Sequence, residues 1–209
     1  VFELLKSGGW LVIPIMICSL VALTIVCERM WILRRSRIVP RHLVAQVWTW
    51  LRGDELDREK LKELRDSSYL GEILAAGLTG PLDNRDMIKE RMEESGRQVV
   101  IRLEHYLNML GTISLITPLL GLLGTVVGMI EVFNVITTQG VGNANALADG
   151  ISQALVTTAV GLSIAIPSVI FHRFFHRRVD ELVVTLEQEA LKLVDAIISN
   201  PEYFRRAES

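Results

Sequence analysis

The chain has 209 residues, half of them apolar, with 22 Lys and Arg against 24 Asp and Glu and a formal net charge of −2. A balance this close to neutral leaves no electrostatic footprint for a nucleic-acid partner. The charges fall in blocks, and the gaps between blocks are apolar runs long enough to cross a bilayer.

The first run spans Trp10 to Leu33 and is interrupted late by Glu28 and Arg29, which snorkel or pair at its end. It is longer than the core of a cleavable signal and has no small-residue cleavage site, so it is expected to be a retained membrane helix. Trp10 and Trp31 stand near its two ends, at the headgroup level that amphipathic rings favour. Cys18 and Cys27 both lie in this run. Nine residues of helix hold them roughly 13 Å apart, too far for a disulfide, and they read as buried, reduced, small apolar residues.

A long polar stretch follows. Leu43, Val44, Val47, Trp48 and Leu51 mark a short amphipathic helix, and Gly53 to Asp66 is dense in both signs of charge, as on a solvated helix face. Ile88, Met92, Val99, Leu103, Tyr106 and Leu110 recur at helical spacing and lead into the second apolar run, Met109 to Ile136, with no proline before Pro118. Gly140, Gly142, Asn143 and Asn145 mark a flexible connection. The third run spans Leu147 to Phe171. Beyond it Val179, Leu182, Val183, Leu186, Ala190, Leu193, Val194 and Ile197 continue the helical period to a stop at Asn200-Pro201. The expected fold is an all-α membrane protein of three transmembrane helices, two of them extended into the cytoplasm. Its segments are 1–9, the helix 10–33, a helical loop 34–108, the helix 109–136, a loop 137–146, the helix 147–171 and a helical tail 172–209.

Positive charge sets the orientation. Arg34, Arg35 and Arg37 follow the first span, and Arg173, Arg177 and Arg178 follow the third. The loop from Thr137 to Gly150 has no Lys or Arg, and Lys6 alone precedes the first span. The N-terminus and the 137–146 loop are therefore expected outside the cytoplasm, and the 34–108 region and the tail inside.

The second and third spans carry small and hydroxyl-bearing residues at intervals of three or four. In the second these are Thr117, Gly121, Gly124, Thr125 and Gly128; in the third, Ala154, Thr157, Thr158, Gly161, Ala165 and Ser168. Such faces pack helix on helix or line a narrow ion path, and both readings stay open for Thr125 and Thr158. Pro118 and Pro167 free a carbonyl in the preceding turn and are expected to kink their helices. No Asp, Glu, Lys, Arg or His lies in the middle of any span. An ion-driven machine needs a group that binds and releases its ion within the membrane, so a titrating carboxylate is expected from another chain. No nucleotide loop, nucleophile elbow or metal-ligand spacing occurs, so neither enzymatic activity nor a cofactor is expected.

Two stretches resemble the ExbB/TolQ/MotA family of proton-channel subunits, and its ExbB branch most: Pro118-Leu119-Leu120-Gly121-Leu122-Leu123-Gly124-Thr125-Val126, and Gly150 to Leu162 followed by Ala165-Ile166-Pro167. The opening Leu5-Lys6-Ser7-Gly8-Gly9-Trp10 is similar to that branch too. The resemblance implies a pentamer in the bacterial inner membrane. Its pore would hold single-span ExbD-like chains bearing the proton-binding Asp, and would energise a TonB-like transducer. It also implies that Thr125 and Thr158 line the pore, with Thr157 and Gln153 beside them. Several relatives have Glu where this chain has Gln153, and a glutamine cannot carry the proton. The alternatives are a TolQ-like or other envelope stator, sharing the same topology, and a scaffold that moves no ions.

Overall fold

A computed structural model describes residues 9–40, 42–53, 56–80, 84–140 and 144–199. Lys6, Gly142, Asn143, Asn200 and Pro201 lie outside the described residues. Seven helices and no strand occur among those described: α1 Val12–Ile32, α2 Arg35–Ile38, α3 Leu43–Arg52, α4 Arg58–Ser67, α5 Tyr69–Leu78, α6 Arg85–Gln139 and α7 Ala144–Ser199. Three of them, α1, α6 and α7, are long and apolar enough to cross a membrane. This is an all-α membrane protein.

Both long helices run unbroken through their internal prolines, Pro118 and Pro167. The break between the two long helices falls within the 137–146 segment. Helix α6 reaches Gln139 and α7 begins at Ala144, because Ala144, Ala146, Leu147 and Ala148 are strong helix formers. Gly140, just past α6, has φ +73°, the left-handed conformation in which glycine commonly ends a helix.

The chain divides into two compact units. The first comprises Val1–Glu28 and Tyr106–Phe174. One stripe of α1 is covered within it (Val12, Ile15, Ala22 and Ile25), as is Leu11 just before it, while Ile13, Ile17, Leu20 and Leu23 are exposed. Leu115, Leu119, Leu122, Phe133, Leu155, Ile166 and Ile170 on α6 and α7 are exposed as well. So large an apolar surface fits lipid or partner helices, not water. Cys18 and Cys27 are free, but Cys27 is exposed and Cys18 half-buried, not buried as expected, because the periphery of α1 is left uncovered by the rest of the chain.

The second unit comprises Arg29–His105 and Phe175–Ser209. Its core has the expected period. Ile88, Met92, Val99 and Leu103 from α6 are buried, as are Phe175, Val179, Leu182, Leu186, Leu193 and Ile197 from α7. Leu43, Val47 and Leu51 of α3 join them. The charge-rich segment is helix α4, capped by Asp57, which accepts from the Lys60 amide at 2.8 Å. Leu64 is buried under an otherwise solvated face. Ser68 caps α5 in the same way through the Gly71 amide at 3.0 Å. Gly71 is required there, because a Cβ would run into the Leu64 carbonyl. Arg29 does not snorkel into water. It is buried, and its Nη1 donates to the Leu103 carbonyl at 2.8 Å. On the surface, a hydrogen bond and the charge of Arg97 hold the Glu94 carboxyl below its usual range, but the pair is fully exposed and adds little stability.

Candidate functional site

The small-residue stripes of α6 and α7 face each other along an antiparallel seam. A Cβ added to Gly128 would lie 2.8 Å from the Ala154 Cβ, one on Gly124 2.5 Å from Thr157 Cγ2, and one on Gly121 3.1 Å from the Thr158 Cα. A Cβ on Gly161 would meet the Thr117 carbonyl oxygen at 2.9 Å. Only glycine allows these backbones to approach so closely. Ala154 and Ala165 are buried. The seam runs further than the expected stripes. Gly150 meets Val132, and Gly111 leaves room for the His172 ring, whose Nε2 would lie 2.8 Å from a Cβ there. The period that singles out Gly121 and Thr117 also reaches Ser114 and Gly111 and is the signal for this extension.

Buried hydroxyls in the seam are satisfied within their own helices. Thr117 donates to the Ile113 carbonyl at 2.6 Å, Thr157 to Gln153 at 2.8 Å and Ser168 to Ile164 at 2.8 Å. Thr157, 1% exposed, is thus a packing residue of the seam in this chain. Thr158 differs: its hydroxyl crosses from α7 to the Gly121 carbonyl of α6 at 2.7 Å. That carbonyl is reachable because no side chain stands on Gly121.

Helix geometry then separates the remaining candidates. Consecutive residues are about 100° apart around an α-helix. Thr125 follows Gly124 and Thr158 follows Thr157, and Gly124 faces Thr157. In an antiparallel pair, the same forward step turns both residues to one flank of the seam. Thr125 and Thr158 therefore lie on one flank, Thr158 beside Gly121 and Thr125 about a turn further along α6, both partly accessible. Gln153 precedes Ala154, and the backward step places it on the opposite flank. There Gly9, at φ +68°, packs against its side-chain amide. The structure puts the two threonines on one flank of the seam and Gln153 on the other.

Around the threonines Leu122, Val126, Leu155 and Leu162 are exposed, so the flank is two hydroxyls set in apolar surface. Each hydroxyl proton is committed: Thr158 donates to Gly121, and Thr125 donates to the Leu122 carbonyl at 2.6 Å. What each offers outward is oxygen lone pairs. With its protons so placed, the site accepts a hydrogen bond from a neutral carboxylic acid, and it donates to a carboxylate only when a hydroxyl turns away from its carbonyl. The acids of these helices lie off it, with Glu131 and Asp149 exposed towards the α6–α7 connection. Of the positive flanks, Arg34, Arg35, Arg173 and Arg177 are exposed, and Arg178 pairs with Glu181 at 3.0 Å.

The close seam makes a direct prediction. Gly161→Val should destabilise the fold by about 3 kcal/mol, the upper end of overpacking costs, because the obstacle is the Thr117 backbone and cannot swing aside. Gly96→Ala is the control. Nothing lies within 4 Å of a Cβ there, so stability should hold or rise by about 1 kcal/mol. Thermal unfolding of the two variants in detergent, side by side, checks both signs.

An all-helical fold with three bilayer-length helices, two of them joined along a glycine seam flanked by paired hydroxyls, defines a multi-pass membrane protein built for close helix contacts. The chain belongs to the MotA/TolQ/ExbB proton channel family, which it matches over residues 65–188, more than half its length. It is similar to an ExbB-like biopolymer transport protein of Synechocystis sp., 30% identical over 207 residues, which cover 98% of this chain and 78% of the relative. It is 34% identical over 136 residues to the biopolymer transport protein ExbB of Aquifex aeolicus, covering 62% of this chain and 91% of the relative. The biopolymer transport protein exbB1 of Vibrio cholerae is 30% identical over 191 residues, covering 88% of this chain and 83% of the relative. Family and relatives support a proton-channel, stator-like subunit.

Proposed function

We propose that the chain is the carboxylate-free subunit of an ExbB-type energy-transducing complex in the bacterial inner membrane. Five copies form a ring around the single-span helix of an ExbD-like partner, and proton flow through the complex energises a TonB-like transducer for outer-membrane import. The observation that carries this reading is the shared flank of Thr125 and Thr158, whose hydroxyl protons are both turned inward. A partner's Asp entering the ring protonated can donate to either oxygen. The ionised form gains a donor only at the expense of one of those bonds and is less favoured there. The ring would thus favour the neutral acid in transit, which is what a proton carrier in an apolar passage needs. Gln153, on the other flank, is a packing residue in this account and carries no proton. Pro118 and Pro167 are bends that let α6 and α7 follow the ring.

Native mass spectrometry of the purified chain in mild detergent should show five copies per particle. A stable monomer counts against the ring. Co-purification should add a single-span chain with an Asp in its membrane helix.

The orientation is tested separately. Asn145→Cys and Arg178→Cys, each in a Cys18→Ser/Cys27→Ser background, are probed with an impermeant thiol reagent on intact spheroplasts. Labelling at 145 and protection at 178 are expected. The reverse pattern overturns the assignment of the N-terminus and the 137–146 loop to the periplasm.

A further inference from the structure

The second unit holds a polar cavity of about 990 Å³ that the proton path does not use. Arg37, Lys62, Arg65 and Arg102 line it, against two acids, Asp66 and Glu72. Two of the cations are held in place. Arg102 pairs with Glu72 at 2.5 Å and lies 5.6 Å from the centre of the Tyr69 ring, and Arg37 stacks 4.2 Å over the Trp31 ring. Lys62 and Arg65 make no ion pair among the described residues. Ser68 and Tyr69, the cap and first residue of the ten-residue helix α5, also line the cavity, so the positive end of that helix adds to its field. A concavity with this charge excess is a site for a phosphate-bearing anion.

Its place along the chain identifies the source of that anion. Arg37 comes five residues after Ile32, the end of α1, and rests on Trp31, an interfacial residue by type and position. Arg102 lies on α6 seven residues before Met109, the start of the second apolar run, about 10 Å along the helix. Two of the lining cations are thus a few residues along the chain from a membrane-crossing run on its Arg-rich side, within reach of headgroups. We propose that this cavity binds the phosphate of an anionic lipid headgroup, with Lys62 and Arg65 supplying the unspent charge. The proposal does not depend on the proton-path reading.

The test is a lipid titration of the purified full-length chain followed by native mass spectrometry. The arms are phosphatidylglycerol, phosphatidylcholine, and phosphatidylglycerol with excess inorganic phosphate. Wild type should bind phosphatidylglycerol in preference to phosphatidylcholine, and millimolar phosphate should not displace it. Lys62→Gln/Arg65→Gln should weaken that binding about tenfold to thirtyfold, at the usual strength of a cation near a headgroup surface. Lys89→Gln/Lys192→Gln removes the same charge outside the cavity and should change it little. Equal binding of both lipids, or an equal loss in both double variants, overturns the proposal. Displacement by phosphate makes the cavity a soluble-anion site and overturns the assignment to lipid.

Discussion

Thr158→Val is expected to lower proton-coupled uptake at least tenfold while leaving the assembly and its stability nearly intact. Valine keeps the β-branched shape, so the contact with Gly121 survives. The lost hydrogen bond costs little stability: interhelical bonds in membranes average about 0.6 kcal/mol, and the Gly121 carbonyl keeps its helical partner. The functional loss is larger because the oxygen that receives a partner's neutral acid is gone. A buried polar group left without a partner costs about 1–3 kcal/mol, and about 1.4 kcal/mol already corresponds to a factor of ten. Thr125→Val should act in the same direction but less, since its hydroxyl bonds only within its own helix. Thr158→Ser restores a hydroxyl and should recover most activity. Full outer-membrane import by cells carrying either valine variant would remove these hydroxyls from the ion path.

Much of this fold could be read from residue type and spacing. Hydrophobic run length alone placed three membrane helices, and a period of three or four placed the cores around Leu103 and Leu186. The same period picked out the residues that form the seam. What spacing could not supply was handedness. Thr125, Thr158 and Gln153 are all polar residues among small ones. Only the facing pairs, Gly124 with Thr157 and Gly9 with Gln153, tell which flank each occupies. Hydrogen-bond direction was equally hidden. A threonine within a membrane helix is expected to bond its own backbone, as Thr157 does, and nothing local marks Thr158 as the one that reaches across. Arg29 shows a further limit. A cation at the end of an apolar run reads as snorkelling or pairing, and nothing local marks the Leu103 carbonyl, distant in sequence, as what receives it.

On the proposed function, this chain builds the passage and a partner brings the acid. Moving one charge through the membrane potential yields about 2.3 kcal/mol per 100 mV, and only a group that alternates between charged and neutral while it moves can collect it. The uncharged centres of the three apolar runs, 10–33, 109–136 and 147–171, contain no such group. The decisive measurement is proton flux into liposomes under an imposed potential, with the chain alone and with its co-purifying Asp-bearing partner. Flux at the level of empty liposomes is predicted for the chain alone, and flux that is lost on Asp→Asn substitution in the partner is predicted for the complex. Substantial proton-selective flux from the chain alone would contradict the account.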